Sequence, residues 1–128
     1  MDNHQDLAKN AELAVKARRL WAAVVLTAVD DAIRFNRAKI KRKKDWEEAA
    51  KIKRKKKEKV EPFKPERDTG EAQIERWANS PDGYFVLRNA GVEPGKRVTK
   101  GLVELVRRNV RLAYALARDG KHGNNQDA

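Results

Sequence analysis

The hexapeptide Lys-Ile-Lys-Arg-Lys-Lys occurs twice in this chain, at residues 39–44 and again at residues 51–56. Around these two basic cassettes, residues 37–59 contain 13 Lys and Arg against 4 Asp and Glu, a balance of +9 in a chain whose net charge is +11. So dense a set of like charges cannot be buried in a hydrophobic core. The core must therefore come from the rest of the chain, while the basic segment faces water or a polyanion.

Length and composition restrict the class of protein further. At 128 residues the chain predicts one small domain with a modest core and no deep catalytic cleft. It has no cysteine, so neither a disulfide framework nor a thiolate metal site is expected, which suits a cytoplasmic protein. The longest apolar run, residues 20–29, is about half of the ~20 residues that a bilayer span requires. The first residues lack the character of a secretory signal, so we expect no membrane association.

Catalysis has little support in the residue pattern. The two histidines, His4 and His122, lie near the chain ends. The adjacent carboxylates at 30–31 and 47–48 would point ~100° apart on a helix and could not work as an acid–base pair. No cluster offers the three or four converging ligands of a metal site. We therefore expect no enzymatic activity, no cofactor and no metal.

The spacing of apolar residues predicts an all-α fold of about four helices. Residues 1–36 read as a long N-terminal core helix, because apolar side chains recur at three- and four-residue steps. Residues 37–61 form a basic arm of good helix formers, expected to fray in water and to order on a polyanion. Residues 62–70, which contain two prolines, predict a linker.

Residues 71–120 predict a three-helix unit that resembles a helix-turn-helix. A short helix covers about 71–79, and Ser80-Pro81-Asp82 is a helix-start signal for the next one. Gly91 should end that helix, and a long final helix is expected from about Lys96 to Asp119. Residues 121–128 are polar and predict a disordered tail.

The second and third helices of this unit suggest a hairpin that reads duplex grooves. Cations Lys96, Arg97 and Lys100 would then lie at the start of the reading helix. A plain helical hairpin within a bundle explains the same residues without DNA, and the sequence does not choose between the two.

The basic arm is the leading candidate site, with nucleic acid as its partner and DNA favoured over RNA. Each Lys or Arg that meets a phosphate releases condensed counterions. Trp46, between the cassettes, could stack on a base or dock on the core. Other interpretations of the arm are a solvated charged helix, nuclear targeting or an anionic membrane surface. The predicted contacts are Lys39, Lys41, Arg42, Lys43, Lys44, Lys51, Lys53, Arg54, Lys55 and Lys56, followed by Lys96, Arg97 and Lys100.

A family resemblance rests on two stretches of sequence. Residues 74–92, IERWANSPDGYFVLRNAGV, and residues 21–32, WAAVVLTAVDDA, look like a family of small phage and prophage proteins of alphaproteobacteria. That family usually has a bulky residue after the Asp and a Cys after the Val, where this chain has Gly83 and Leu87. The resemblance implies a phage context and no particular biochemical activity.

Two functions from different classes therefore stand as hypotheses. The first is a nucleic-acid-binding protein of the host cytoplasm, associated with the nucleoid, which binds phosphate with little sequence preference. The second is a protein that docks on a host protein, such as a nucleic-acid-processing enzyme, and inhibits it. The apolar stripes of the first and last helices could serve such a partner, or a homodimer, as readily as an internal core.

Overall fold

The computed structural model describes residues 3–109, which form four α-helices. They are α1 (Asn3–Lys55), α2 (Gly70–Ala78), α3 (Pro81–Asn89) and α4 (Lys96–Arg107). The all-α class predicted from the sequence is confirmed. The predicted tail, residues 121–128, lies outside the described residues.

Helix α1 is one continuous helix of 53 residues, about 80 Å long at 1.5 Å per residue. The sequence predicts that the core helix ends near Asn36, where the apolar spacing fails, and that the basic arm beyond it frays in water. The helix instead runs through the first cassette and through all but the last residue of the second, because the Lys, Arg, Glu and Ala residues of this segment all favour helix. It ends at Lys55 in a Schellman-type cap, where Lys57 has a φ of 55° and the Glu58 N–H donates to the Lys53 carbonyl at 2.9 Å.

The short helices begin at side-chain caps. Ser80 precedes α3, its hydroxyl accepts from the Gly83 N–H at 3.1 Å, and Pro81 occupies the first helical position. The start of α3 predicted from Ser-Pro-Asp is therefore confirmed. Thr69 caps α2 in the same way by accepting from the Ala72 N–H, and this cap is not among the predicted helix starts.

The hydrophobic core lies where the three short helices pack on the middle of α1. Its centre is formed by side chains that are almost fully buried, and Gly70 and Gly83 let the helix backbones approach closely. A methyl group on Gly70 would clash with the Ala32 carbonyl, and one on Gly83 would clash with the Trp77 carbonyl. The buried apolar residues at this centre are Val29, Ala32, Ile33, Ile74, Ala78, Leu87, Leu102 and Val106.

The first part of α1 does not belong to the core, contrary to the sequence prediction. Every residue from Gln5 to Leu20 is exposed. Leu7, Leu13 and Leu20 keep 64%, 62% and 71% of their surface exposed. The apolar periodicity is present, but the three short helices are too short to cover more than the middle of an 80 Å rod.

The last two helices also differ from the expected arrangement. Helix α4 ends at Arg107, and Asn109 follows with a φ of 60°, a conformation that Asn adopts readily. Residues 110–119 of the predicted final helix lie outside the described residues. No Cα atom of α3 comes within 8 Å of a Cα atom of α4, which packs on α1 and α2. The pair therefore lacks the direct helix–helix contact of a helix-turn-helix hairpin.

Candidate nucleic-acid interface

The segment between α1 and α2 folds back along the basic part of α1. We call residues 58–69 the strap. Its contacts run in antiparallel order, since Trp46 contacts Glu61 and Lys39 contacts Asp68. Directly after the strap, at the first residue of α2, the Gly70 N–H donates to the Asn36 side chain at 2.8 Å. The sequence predicts a linker over residues 62–70, whereas in the structure the strap covers one face of the basic helix.

Trp46 holds the middle of the strap. Its indole N–H donates to the Glu61 carbonyl at 3.2 Å, and its ring lies 5.5 Å from that of Phe63, with the two planes tilted by 46°. Ala50, one turn further along α1, is only 2% exposed. Trp46 thus packs within the chain itself, on the strap rather than on the core.

The end of the strap is fixed by Asp68. Its backbone carbonyl accepts from the Lys39 ammonium at 2.6 Å, and its carboxylate accepts from Arg76 at 2.7 Å and from Gln73 at 3.2 Å. The hydrogen bond from Arg76 is the main reason why the pKa of Asp68 falls from 3.8 to about 2. One residue therefore ties the strap to both α1 and α2.

Several cassette cations lie on the side of α1 that the strap covers. The Lys39 ammonium donates a hydrogen bond to the Asp68 carbonyl and lies 6.0 Å from the centre of the Phe35 ring. Lys43 lines an open cleft of about 520 Å³ against Phe63 and Pro65, together with Arg42. Lys53 lines a second cleft, against Val60 and Pro62.

The opposite side of α1 carries a row of cations that we call the cationic face. Its members follow one another at steps of four, three, seven and four residues. At 100° per residue they fall within an arc of roughly 80°, turned away from the strap, over a length of about 27 Å. All are exposed. The cationic face consists of Arg37, Lys41, Lys44, Lys51 and Lys55, with Glu48 as the one carboxylate in the row.

The offset between the two cassettes explains this composition. Twelve residues turn a helix by 120° beyond three full turns, so the copies do not present the same positions to the same side. The first cassette contributes Lys41 and Lys44 to the cationic face, whereas the second contributes Lys51 and Lys55. Arg37 was not among the predicted contacts, although the heptad-like spacing of the row is visible in the sequence.

The cassette cations are free of ion pairs within the described residues. The ion pairs there join Arg76 to Asp68, and Arg107 and Arg108 to Glu104. The remaining predicted contacts of the second cassette, Arg54 and Lys56, are exposed at the end of α1. The charge of the segment therefore stays available to an external anion.

The three cations of the predicted reading helix lie at a different place. Lys96, Arg97 and Lys100, on the first turns of α4, line an open groove of about 770 Å³ with Glu75 and Asn79 of α2. The N-cap of α4 is Gly95, which offers no side-chain hydrogen bond. This groove is separate from the cationic face and contains a carboxylate, so it is the weaker site for an anion.

Two other kinds of site are absent from the part of the chain that the structure describes. Among residues 3–109, no helix has the length and apolar character needed to span a bilayer. Within that range no three or more His, Cys, Asp or Glu side chains converge to hold a metal ion.

Helix content, core and charged surface together define a small all-α protein with one strongly basic helical face. Residues 57–126, more than half of the chain, match the model of a family described as "Family of unknown function (DUF6280)", and the chain belongs to this family. The match begins directly after the second cassette, so both cassettes and the whole of α1 lie outside it. Comparison with curated proteins and with solved structures finds no match.

Proposed function

We propose that this protein binds nucleic acid through the phosphate backbone, with the cationic face of α1 as the contact surface. The observation that carries the proposal is the arrangement of that face. Five exposed cations lie on one side of a continuous helix, and the strap covers the other side. A rigid, one-sided row of charge is preorganised for a linear polyanion in a way that a flexible basic tail is not.

Duplex DNA fits this surface better than duplex RNA. The major groove of B-form DNA is about 12 Å wide and admits an α-helix, whereas the major groove of A-form RNA is too deep and narrow for one. Five phosphate contacts would give a slope of log K against log salt of about −4 to −5. Binding should therefore be strong at low salt and weak at high salt.

Sequence preference should be small. Base readout relies on planar groups that make two hydrogen bonds at once, such as Arg and Asn. The cationic face contains a single arginine, Arg37, and four lysines, which act as point charges on phosphate. From the resemblance described above we infer a phage context, with action on the DNA of a bacterial host.

A salt titration tests the proposal. Fluorescence anisotropy of labelled duplex DNA, single-stranded DNA and duplex RNA would be recorded over a range of salt concentrations. The matched variant replaces both cassettes by sequence of the same length in which Ser and Glu balance the remaining charge. We expect tightest binding to duplex DNA, the steep slope stated above, and loss of binding in the variant.

The rival function, docking on a host protein, predicts a different pattern. Biological activity in expressing cells would then survive in the cassette variant, although DNA binding is lost. Failure of the unmodified protein to bind any of the three nucleic acids at low salt would disprove the proposal outright.

A further inference from the structure

The N-terminal part of α1 is an apolar helix without a cover among the described residues. Residues 5–20 are all exposed, and three leucines in this stretch keep more than half of their surface in contact with solvent. A lone helix of this length is marginal in water, because most helical stability in proteins comes from packing of an apolar face. Packing of this apolar face against another surface would therefore stabilise the segment.

Four apolar residues of this region form a stripe. Leu13, Ala17, Leu20 and Val24 follow at steps of four, three and four residues, which places them on one side of the helix. Leu13, Leu20 and Val24 are 62%, 71% and 43% exposed. The spacing reads the same in both directions along the chain, so the stripe is complementary to itself when two helices run antiparallel.

We infer that this stripe is the interface of an antiparallel homodimer. Leu13 of one copy lies against Val24 of the other, and Ala17 lies against Leu20. The alternation of small and large side chains lets the two helices approach closely at the centre. This inference does not depend on the proposed function.

The charge distribution selects the antiparallel orientation. A parallel pair would place two basic segments, each with a balance of +9, side by side. In the antiparallel pair the dyad lies between residues 18 and 19. The nearest residues of the two cationic faces are then about 55 Å apart along the helix axis, at 1.5 Å per residue.

The fold also leaves room for the second helix. An open groove of about 400 Å³ continues the stripe toward the core, between α1 and α2. It is lined by Val24, Thr27 and Asp31 of α1 and by Gln73 and Trp77 of α2. In the antiparallel pair, the first turns of the other copy's α1 run along this groove.

Sedimentation equilibrium of the full chain tests the dimer. The wild type should show twice the chain mass of 14.6 kDa, with a concentration-dependent transition to monomer. Leu13→Glu/Leu20→Glu should be monomeric, because it places carboxylates in the stripe. The control Ala8→Glu/Val15→Glu adds the same charge with the same spacing on the other side of the helix and should still dimerise. Circular dichroism checks that the core still unfolds cooperatively in each variant.

Cysteine crosslinking tests the orientation in a chain that has no cysteine of its own. A mixture of the Leu13→Cys and Val24→Cys single variants should form a disulfide-linked pair on oxidation. Val24→Cys alone should not, since its two copies would lie about 16 Å apart along the axis, beyond disulfide reach. A monomeric wild type at every concentration, self-crosslinking of Val24→Cys, or a monomer that is captured only by a different polypeptide would each overturn the inference.

Discussion

The indole N–H of Trp46 donates a hydrogen bond to the backbone carbonyl of Glu61, 3.2 Å away. The two residues are 15 positions apart in the sequence. Through this bond and the neighbouring Phe63 ring, the strap is held along one side of the basic helix. The sidedness of the charged segment thus depends on an aromatic residue that stands between two blocks of lysine and arginine.

Replacement of Trp46 by alanine should release the strap and leave nucleic-acid affinity almost unchanged. The protease that cleaves after glutamate should then cut at Glu61 and Glu66 faster than in the wild type. A Trp46 that stacked on a base would instead contribute ~1–3 kcal/mol to binding. Proteolysis and anisotropy on the same variant therefore separate the two roles. A large loss of affinity with unchanged proteolysis would show that Trp46 contacts the ligand.

Addition of a methyl group to Gly83 should destabilise the fold strongly. The new Cβ would clash with the Trp77 carbonyl at the crossing of α2 and α3. Relief of that clash requires movement of the backbone, and we expect a cost of about 3 kcal/mol in chemical denaturation of Gly83→Ala. Gly101→Ala is the matched control, because it places the same methyl group in open space on α4. The control should gain about 0.5–1 kcal/mol from helix propensity.

Stability should fall in acid as Asp68 takes up a proton. Its pKa is lowered from 3.8 to about 2 in the fold, chiefly by the hydrogen bond from Arg76. A lowered pKa means that the contribution of the carboxylate is complete above about pH 4 and is lost as the pH falls toward 2. Chemical denaturation at several pH values in this range measures the free energy of unfolding. This free energy should depend less on pH in Asp68→Asn and in Arg76→Gln than in the wild type. If the free energy of unfolding fell with pH as steeply in both variants as in the wild type, the Asp68–Arg76 pair would not be the cause of the acid sensitivity.

Removal of the buried carboxylate of Asp30 should stabilise the protein. Asp30 is 6% exposed, and its Oδ1 atom has no hydrogen-bond partner among the described residues. Burial of such a group costs free energy, so Asp30→Ala should raise the free energy of unfolding by about 1–2 kcal/mol. Asp31→Ala is the control, because Asp31 is exposed. Its replacement should raise the free energy of unfolding only by the difference in helix propensity between Asp and Ala. A destabilised Asp30→Ala would mean that the carboxylate has a stabilising role.

The sequence predicted where helices form more reliably than it predicted which helix surfaces pack against one another. Periodicity and the Ser80-Pro81 start signal gave the helical class and the start of α3, because these depend on residues close together in the chain. The same periodicity could not show that Leu7 and Leu13 lie outside the core, since that depends on how far three short helices reach along α1. Helix propensity favoured a helix through the cassettes, but the repulsion between their charges predicted fraying, whereas α1 is continuous to Lys55.

From the sequence, the candidate site was the whole basic segment. In the structure, it is the cationic face of α1, a row of exposed cations turned away from the strap. Residue composition identified the cassettes, and the 12-residue offset already implied that the copies turn to different sides. Which side remains open depends on the strap, whose contacts join residues as far apart as Lys39 and Asp68. Such long-range contacts leave no periodic signal in the sequence.

A matched pair of double variants tests the central claim most directly. Lys44→Gln/Lys55→Gln removes one lysine of each cassette from the cationic face, and Lys43→Gln/Lys53→Gln removes one of each from the strap side. Both lose the same charge from the same segment, and salt titrations of duplex DNA binding compare them. The first should reduce the steepness of the salt slope by about 2 and weaken binding strongly, while the second should stay close to the wild type. Equal loss in both variants would show that total charge, rather than a preorganised face, determines binding.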